Sequence, residues 1–183
     1  MGAPTRTPRT SWIEAGLRAL AAGGPDAVRI EQLAEALGVT KGGFYWHFDG
    51  RPALLEEMLD AWERVVIDQV IERVEGGGGD ARAKLGRLFA IGSAATATDL
   101  VEVEIAIREW ARREKAVAKR LRRIDKRRMD YMRSLFAHFC PDEEEVEVRC
   151  LLVFSLFISR PLMTGDKRGR TAMLELALQR LLA

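Results

Sequence analysis

Only two cysteines, Cys140 and Cys150, and two histidines, His47 and His138, occur among the 183 residues. Two thiols make no disulfide framework, so a reducing cytosol is the expected setting and the chain is expected to be cytoplasmic. The histidines lack the spacing that a metal site needs, and neither a metal nor another cofactor is expected. No apolar run approaches the roughly 18 residues of a membrane span; residues 150–158 are the richest stretch, and no membrane partner is expected. An apolar h-region is missing from the first residues, so no secretion signal is expected. No glycine-rich phosphate loop follows a strand, and the carboxylates gather at helix starts, where capping explains them. An enzyme is therefore not expected.

What is present is a hydrophobic fraction of 48%, enough for a real core, and a charge balance that hides strong asymmetry behind a net +2. Residues 1–51 hold 6 basic and 5 acidic side chains, and residues 52–107 hold 5 and 11. Residues 108–133 hold 12 and 4, and residues 134–183 hold 6 and 7. The basic block thus lies outside the N-terminal region.

Periodicity and punctuation predict an all-α chain. Ser11 with Glu14 reads as a capping box for a first helix carrying Ile13, Leu17, Leu20 and Ala21. After Gly23-Gly24-Pro25, a short stripe of Ile30, Leu33, Ala34 and Leu37 ends at Gly38. A third helix, capped by Thr40, is expected to run to about Phe48. Pro52 then fits the first turn of a long helix whose inner side carries Leu55, Met58, Leu59, Trp62, Val65, Val66 and Val70, stopped by the glycines 76–79. Asp80 caps the next helix, and Asp99/Glu102 and Asp142/Glu145 read as further capping boxes. A single helix from Glu102 to Phe139 would span about 57 Å at roughly 1.5 Å per residue, longer than a compact body of this size accommodates. A break is expected at 113–115.

The informative segment is 30–48. Two short helices joined by a glycine-containing turn make a helix-turn-helix. Ala34 permits close approach, Gly38 supplies the left-handed turn, Val39 plugs the joint, and Phe44 and Phe48 anchor the second helix. Its other face turns Lys41, Tyr45, Trp46 and His47 outward, a set of donors and aromatics suited to a major groove. Gly42 and Gly43 cost about 1 kcal/mol each as helix formers, and their lack of bulk lets the backbone sit close to a duplex.

Residues 11–59 resemble the TetR (tetracycline-repressor-like) family of bacterial transcription regulators. The resemblance rests on Ile30, Leu33-Ala34, Leu37-Gly38-Val39-Thr40, Gly42, Phe44-Tyr45, His47-Phe48 and then Leu54-Leu55. It implies an N-terminal three-helix DNA-binding domain over 1–51 and a helical effector-binding and dimerisation domain over 52–183. It further implies a homodimer on a near-palindromic double-stranded DNA operator, released or engaged by an unidentified small-molecule effector. Carried over by position, Lys41, Gly42, Tyr45 and Trp46 face bases or thymine methyls, while Arg29, Thr40, His47 and Arg51 meet phosphates; Gly43 is a further expected DNA-binding residue. A repressor is the expected role; the alternatives are an activator or a non-specific DNA-organising protein without an effector. Arg29 departs from the family's more usual Thr, and Glu114-Lys115 from its commoner Asp-Pro.

Other features have both a functional and a plain reading. Thr5, Arg6 and Arg9 form either a minor-groove arm or an ordinary tail. The basic residues 108–133 are expected to dock on the acidic 52–107 segment, with a second nucleic-acid surface as the lesser reading. The apolar run 150–158 and the last helix, through Leu152, Leu156, Leu174, Leu178 and Leu181, are expected to pair with their copies in a dimer; a buried core helix in a monomer is the alternative. Trp62, Phe89, Trp110, Tyr131, Phe136 and Phe154 are candidate effector contacts, with Arg108 or Arg160 as a polar handle, against a reading as plain core. The two thiols are candidates for oxidant sensing only if they are accessible.

Overall fold

In the computed structural model, residues 7–94, 97–159 and 167–182 are described, and no strand occurs among them. Thr5, Arg6 and Arg160 lie outside these residues. The helices are α1 (Arg9–Gly23), α2 (Ile30–Ala36), α3 (Lys41–Tyr45), α4 (Arg51–Glu63), α5 (Gln69–Gly76), α6 (Ala81–Ser93), α7 (Ala97–Ala111), α8 (Lys115–Phe136), α9 (Glu143–Ser159) and α10 (Lys167–Leu181). The expected all-helical class is what the chain adopts. Two compact units result: the described part of Met1–Arg64 with Glu102–Lys119, and that of Val65–Val101 with Arg120–Ala183.

In the first unit, α1 packs on α4 and α2, and α2 packs on α3. Trp12, Leu20, Leu33, Phe44, Phe48, Leu54, Met58 and Trp62 form its buried interior. Gly38 adopts φ +67°, the left-handed turn expected of it, and the turn closes with Val39 N donating to Ala34 O at 2.9 Å. Gly50, with φ +140° and ψ 177°, precedes α4 in a region open essentially to glycine alone. Pro52 sits in the first turn of α4, as expected.

The helix starts correct three expectations. α1 begins at Arg9, two residues before Ser11, because the fixed φ of Pro8 (−61°) already sets the extended residue that precedes a helix; Ser11 N donates to Pro8 O at 3.1 Å. α7 begins at Ala97, which places Asp99 inside its first turn rather than at its cap. At α9, Asp142 Oδ1 accepts from Glu144 N at 2.9 Å, but Glu145 turns away to accept from Arg149 Nε at 2.7 Å, so no reciprocal box forms. Asp80 behaves as expected, accepting from Ala83 N at 2.8 Å.

α4 runs into α5 through a π turn over Arg64–Asp68. The wider turn advances the buried face by five residues, from Trp62 to Ile67, and then to Val74. Val65, Val66 and Val70, expected inside on a uniform 3.6-residue period, are only half-buried. The break expected at 113–115 is present, between Ala111 and Lys115.

The second unit is built on Leu85, Phe89, Met132, Phe136, Val146, Cys150, Val153, Leu174 and Leu178. Its α8 is also tied to the end of the π turn and to α5: Arg127 Nη2 donates to Asp68 Oδ1 at 2.7 Å, and Tyr131 Oη to Glu75 Oε1 at 2.8 Å. Burial, with Glu75 alongside, holds the Tyr131 hydroxyl protonated well above the usual phenol range. Within α8, Lys126 meets Asp130 at 2.6 Å, and Arg133 reaches across to Glu147 at 2.9 Å. Of these contacts, one ion pair, Arg127–Asp68, joins the basic block to the acidic segment, with the Tyr131–Glu75 hydrogen bond beside it; Lys126 pairs within the block and Arg133 with α9. Cys140 and Cys150 are both buried, and burial pushes the Cys150 thiol up to about 11, which makes it a packing residue.

The π turn makes a quantitative difference. Ile67→Ala is expected to lower the unfolding free energy by about 2–5 kcal/mol, as for a fully buried aliphatic, while Val65→Ala costs clearly less. Denaturant titration of the two variants measures this; equal losses would restore the uniform helical period.

Candidate nucleic-acid interface

The short helix α3 is held from below. Phe44, fully buried, meets the Trp12 ring edge-on at 5.4 Å between centroids and stacks on Phe48 at 5.1 Å. The helix ends at Tyr45, shorter than the expected reach to Phe48; His47 N and Phe48 N both donate to Phe44 O, at 2.9 and 3.1 Å, in a closing turn. Thr40 stands at the N-cap in extended conformation, but its side chain makes no capping hydrogen bond. Its hydroxyl is thus not committed to the helix it precedes.

Tethering Phe44 and Phe48 inward rotates the rest outward. Tyr45 is 59% exposed and Trp46 74%, the two most exposed aromatics described. Lys41 and Gly42 are exposed on the same short element, with Gly43 half-buried beside them. Leaving so much aromatic surface in water has no benefit for folding, so a partner is the economical explanation.

The glycines carry a second message. A Cβ built on Gly42 would come no nearer than 3.6 Å to Thr40 Oγ1, and one on Gly43 no nearer than 3.9 Å to the Trp12 ring. Both are ordinary van der Waals distances. Packing inside the chain therefore does not require glycine at either position, although each weakens the helix.

The residues around this element are fastened individually. His47 Nε2 hydrogen-bonds the Thr7 carbonyl at 2.9 Å, with the ring as donor. Arg9 forks onto the Glu57 carboxylate, Nε to Oε2 at 2.8 Å, and its guanidinium covers the Phe48 ring at 4.7 Å. Arg51 donates to Val28 O at 2.7 Å and also to Pro25 O, tying the start of α4 to the segment before α2. This gives Arg51, expected at a phosphate, a structural task of its own. Arg29 is exposed, its Nε on Asp26 O at 3.1 Å. Lys41 pairs with Glu31 on α2, which draws the carboxyl below its usual range and the ammonium above its own. Glu31, Glu57 and Thr7 were not anticipated: nothing in linear spacing pairs residues ten, forty-eight or forty apart.

Residues 13–58 match the profile described as bacterial regulatory proteins, tetR family. This segment is a tetR-family helix-turn-helix domain. The chain is 38% identical over 53 residues to the HTH-type transcriptional regulator TtgR of Pseudomonas putida, covering 29% of this chain and 25% of that protein. It is also 35% identical over 57 residues to the HTH-type transcriptional regulator TtgW of the same species, covering 31% and 42%. The aligned stretch thus spans well under half the length of either relative. Over the whole chain, the fold is that of solved tetR-like structures. A TetR-family transcriptional regulator from Rhodococcus sp. superposes with TM-score 0.68 at 22% identity over 96% of this chain and 98% of that one. A transcriptional regulator from Saccharomonospora viridis, solved with choline, gives 0.79 at 16% over 95% and 94%.

Beyond the tetR-family domain, the other expected sites fall out unevenly. Leu174 and Leu178 are buried in their own chain, 8% and 2% exposed, and are therefore corrected from dimer contacts to core. Leu156 and Leu181 are half-buried. Leu152 is exposed, and with it Leu151 of the apolar run and Met173 of the last helix, as well as Val148 and Leu176, which no expected stripe includes. Each of these helices carries a broad apolar face, and spacing alone does not choose which side the core takes. Of the candidate effector contacts, Phe89 and Phe154 share the second unit's core region. Trp62, Trp110 and Arg108 belong to the first, where Arg108 Nη2 pairs with the buried Glu104 at 2.8 Å. Phe89 also borders a cleft of about 430 Å³ between α6 and α10, with Ala90, Ser93, Leu178, Gln179 and Leu182.

Replacing Gly42 by Ala separates folding from binding. The variant is expected to be as stable as the parent or up to about 1 kcal/mol more stable, from helix propensity. It should nevertheless bind duplex DNA several-fold more weakly. Thermal melts and fluorescence anisotropy read the two effects; unimpaired binding would show that the missing side chain serves nothing outside the chain.

Proposed function

We propose that this protein is a transcription regulator that binds a near-palindromic DNA operator as a homodimer and represses until a small-molecule effector binds. In this reading residues 1–51 contact DNA, and residues 52–183 hold the effector and the dimer contacts. The observation that carries it is the outward face of α3, where Lys41, Tyr45 and Trp46 are presented to solvent over a buried Phe44. A helix in the major groove needs that arrangement: one side locked by packing, the other bearing donors and flat apolar surface for base edges and thymine methyls. Arg29, Thr40 and His47 stand at the edges of the element, suited to phosphates.

Dimerisation is supported by the apolar side chains left in water on α9 and α10. Val148, Leu151, Leu152, Met173 and Leu176 are each more than two-fifths exposed, an apolar surface that a two-fold pairing of the same helices would cover. An effector is supported by the cleft that Phe89 borders, whose volume falls in the usual range for small-molecule sites.

Selection of bound duplexes from a random pool by the purified protein tests the reading directly. It should return one palindromic sequence; recovery of all sequences alike would identify a packaging protein. On the recovered duplex, Lys41→Ala is expected to weaken binding by about 1–3 kcal/mol and relax the preference at one base pair. Weakening that is uniform across sequences would move Lys41 to a phosphate.

Leu151, 58% exposed, offers a clean probe of assembly because the fold does not bury it. Leu151→Glu should give monomers by light scattering, with operator affinity lost and helical content kept. Persisting dimers would remove this face from the interface.

A further inference from the structure

Resting on that reading, one ion pair points to how the domain keeps its grip on random DNA low. Residues 1–51 carry 6 basic side chains against 5 acidic ones, an unusually even balance for a segment that must approach a polyanion. The cation best placed to matter, Lys41 in the first turn of α3, gives its ammonium to the Glu31 carboxylate of α2. Both side chains are exposed, 52% and 63%, so the pair lies on the binding face and not in the core. Arg29, two residues from Glu31, adds its charge to the same carboxylate.

We infer that Glu31 is a positioning residue that sets sequence specificity by cancelling the charge of Lys41 while leaving its hydrogen-bond donors in use. The two halves of DNA recognition draw on different properties of a lysine. Sequence-independent affinity comes from net charge, through release of counterions condensed on the phosphates. Base readout comes from N–H donors placed at acceptor atoms in the groove. An ammonium has three N–H groups, and pairing with one carboxylate oxygen uses one of them. The Lys41–Glu31 pair is therefore electrically neutral toward phosphates yet still a donor toward guanine. On an arbitrary sequence it contributes almost nothing; on the right base it contributes a directed bond. An exposed pair of this kind adds little to stability, so folding does not account for its placement.

The test compares Glu31→Gln and, independently, Glu31→Ser with the parent. The probes are the palindromic duplex recovered by selection and a scrambled duplex of equal length. Unmasking one cation in each protomer should raise affinity for the scrambled duplex about tenfold per protomer at 50 mM salt and steepen its salt dependence by about 0.9 in log–log slope per protomer, about 1.8 for the dimer. Affinity for the selected duplex should rise clearly less, so the ratio between them falls. In a Lys41→Met background Glu31→Gln should no longer steepen the salt dependence on the scrambled duplex, because no ammonium is left there to unmask; only the smaller gain from relieved repulsion remains. Equal gains on both duplexes, or a steepening of the salt dependence that persists in Lys41→Met, would overturn the inference and leave Glu31 as a general repulsive charge. Failure of selection with the parent protein to enrich any duplex would overturn the regulator reading itself, before any Glu31 variant is compared.

Discussion

The burial of one ring, Phe44, governs the functional face of this molecule. α3 has five residues, two of them glycine, and a helix so short and so poor in helix formers does not persist by itself in water. It exists because Phe44 is clasped between Trp12 and Phe48. Once that side chain is fixed inward, helical geometry leaves Lys41, Tyr45 and Trp46 no choice but the outside. Stability and presentation are thus one event. The same clasp explains the surrounding ties: Arg9 lies over Phe48 and forks onto Glu57, while His47 takes the Thr7 carbonyl, so the ends of the element are pinned to α1 and α4 instead of fraying.

Charge in this unit is arranged for restraint. Arg9 is matched by Glu57, Lys41 by Glu31, and Arg51 spends its guanidinium on the backbone carbonyls of Val28 and Pro25. A surface built only for adhesion to phosphate would leave such cations unmatched. Matching them lowers affinity most where charge alone would supply it, and what discriminates among sequences is then the placement of donors and apolar contacts. The cost of that choice is a weak single contact, which bears on how many copies must act together.

The sequence was legible where one residue alone dictates the backbone and opaque where the outcome depends on what packs from elsewhere. Gly38 had to be left-handed and is; Pro52 had to open a helix and does; Phe44 and Phe48 had to face inward together. The π turn at Arg64–Asp68 left no mark, because Val65, Val66 and Ile67 are equally apolar and only the packed interior chooses among them. The caps failed for a related reason. Ser11 and Asp99 are good capping residues, but Pro8 and the start at Ala97 set the helix ends first. In α10 the pattern showed an apolar helix on several sides, yet not that Leu174 and Leu178 would turn to the protein's own core while Met173 and Leu176 turned out. Glu31, decisive for how Lys41 behaves, is one acidic residue among many in the sequence and becomes distinctive only when α2 and α3 fold together.

A recognition element this small, on a unit this nearly neutral, makes association with a second copy a physical requirement of the proposed role and not an accessory to it. One five-residue helix reaches only a few base pairs, and with its cations matched it lacks the electrostatic affinity to hold them. Linking two such elements rigidly multiplies their effects through effective concentration, with no new contact to DNA. A two-fold pairing also places identical readers in opposite orientations, so that only a sequence repeated as its own inverse satisfies both. The exposed apolar side chains of α9 and α10 supply the kind of contact such a pairing needs, since apolar burial is indifferent to the salt that weakens phosphate binding. Restrained charge at one end of the chain and apolar surface left in water at the other are two sides of one design: weak reading by each copy, made selective by the demand that both read at once.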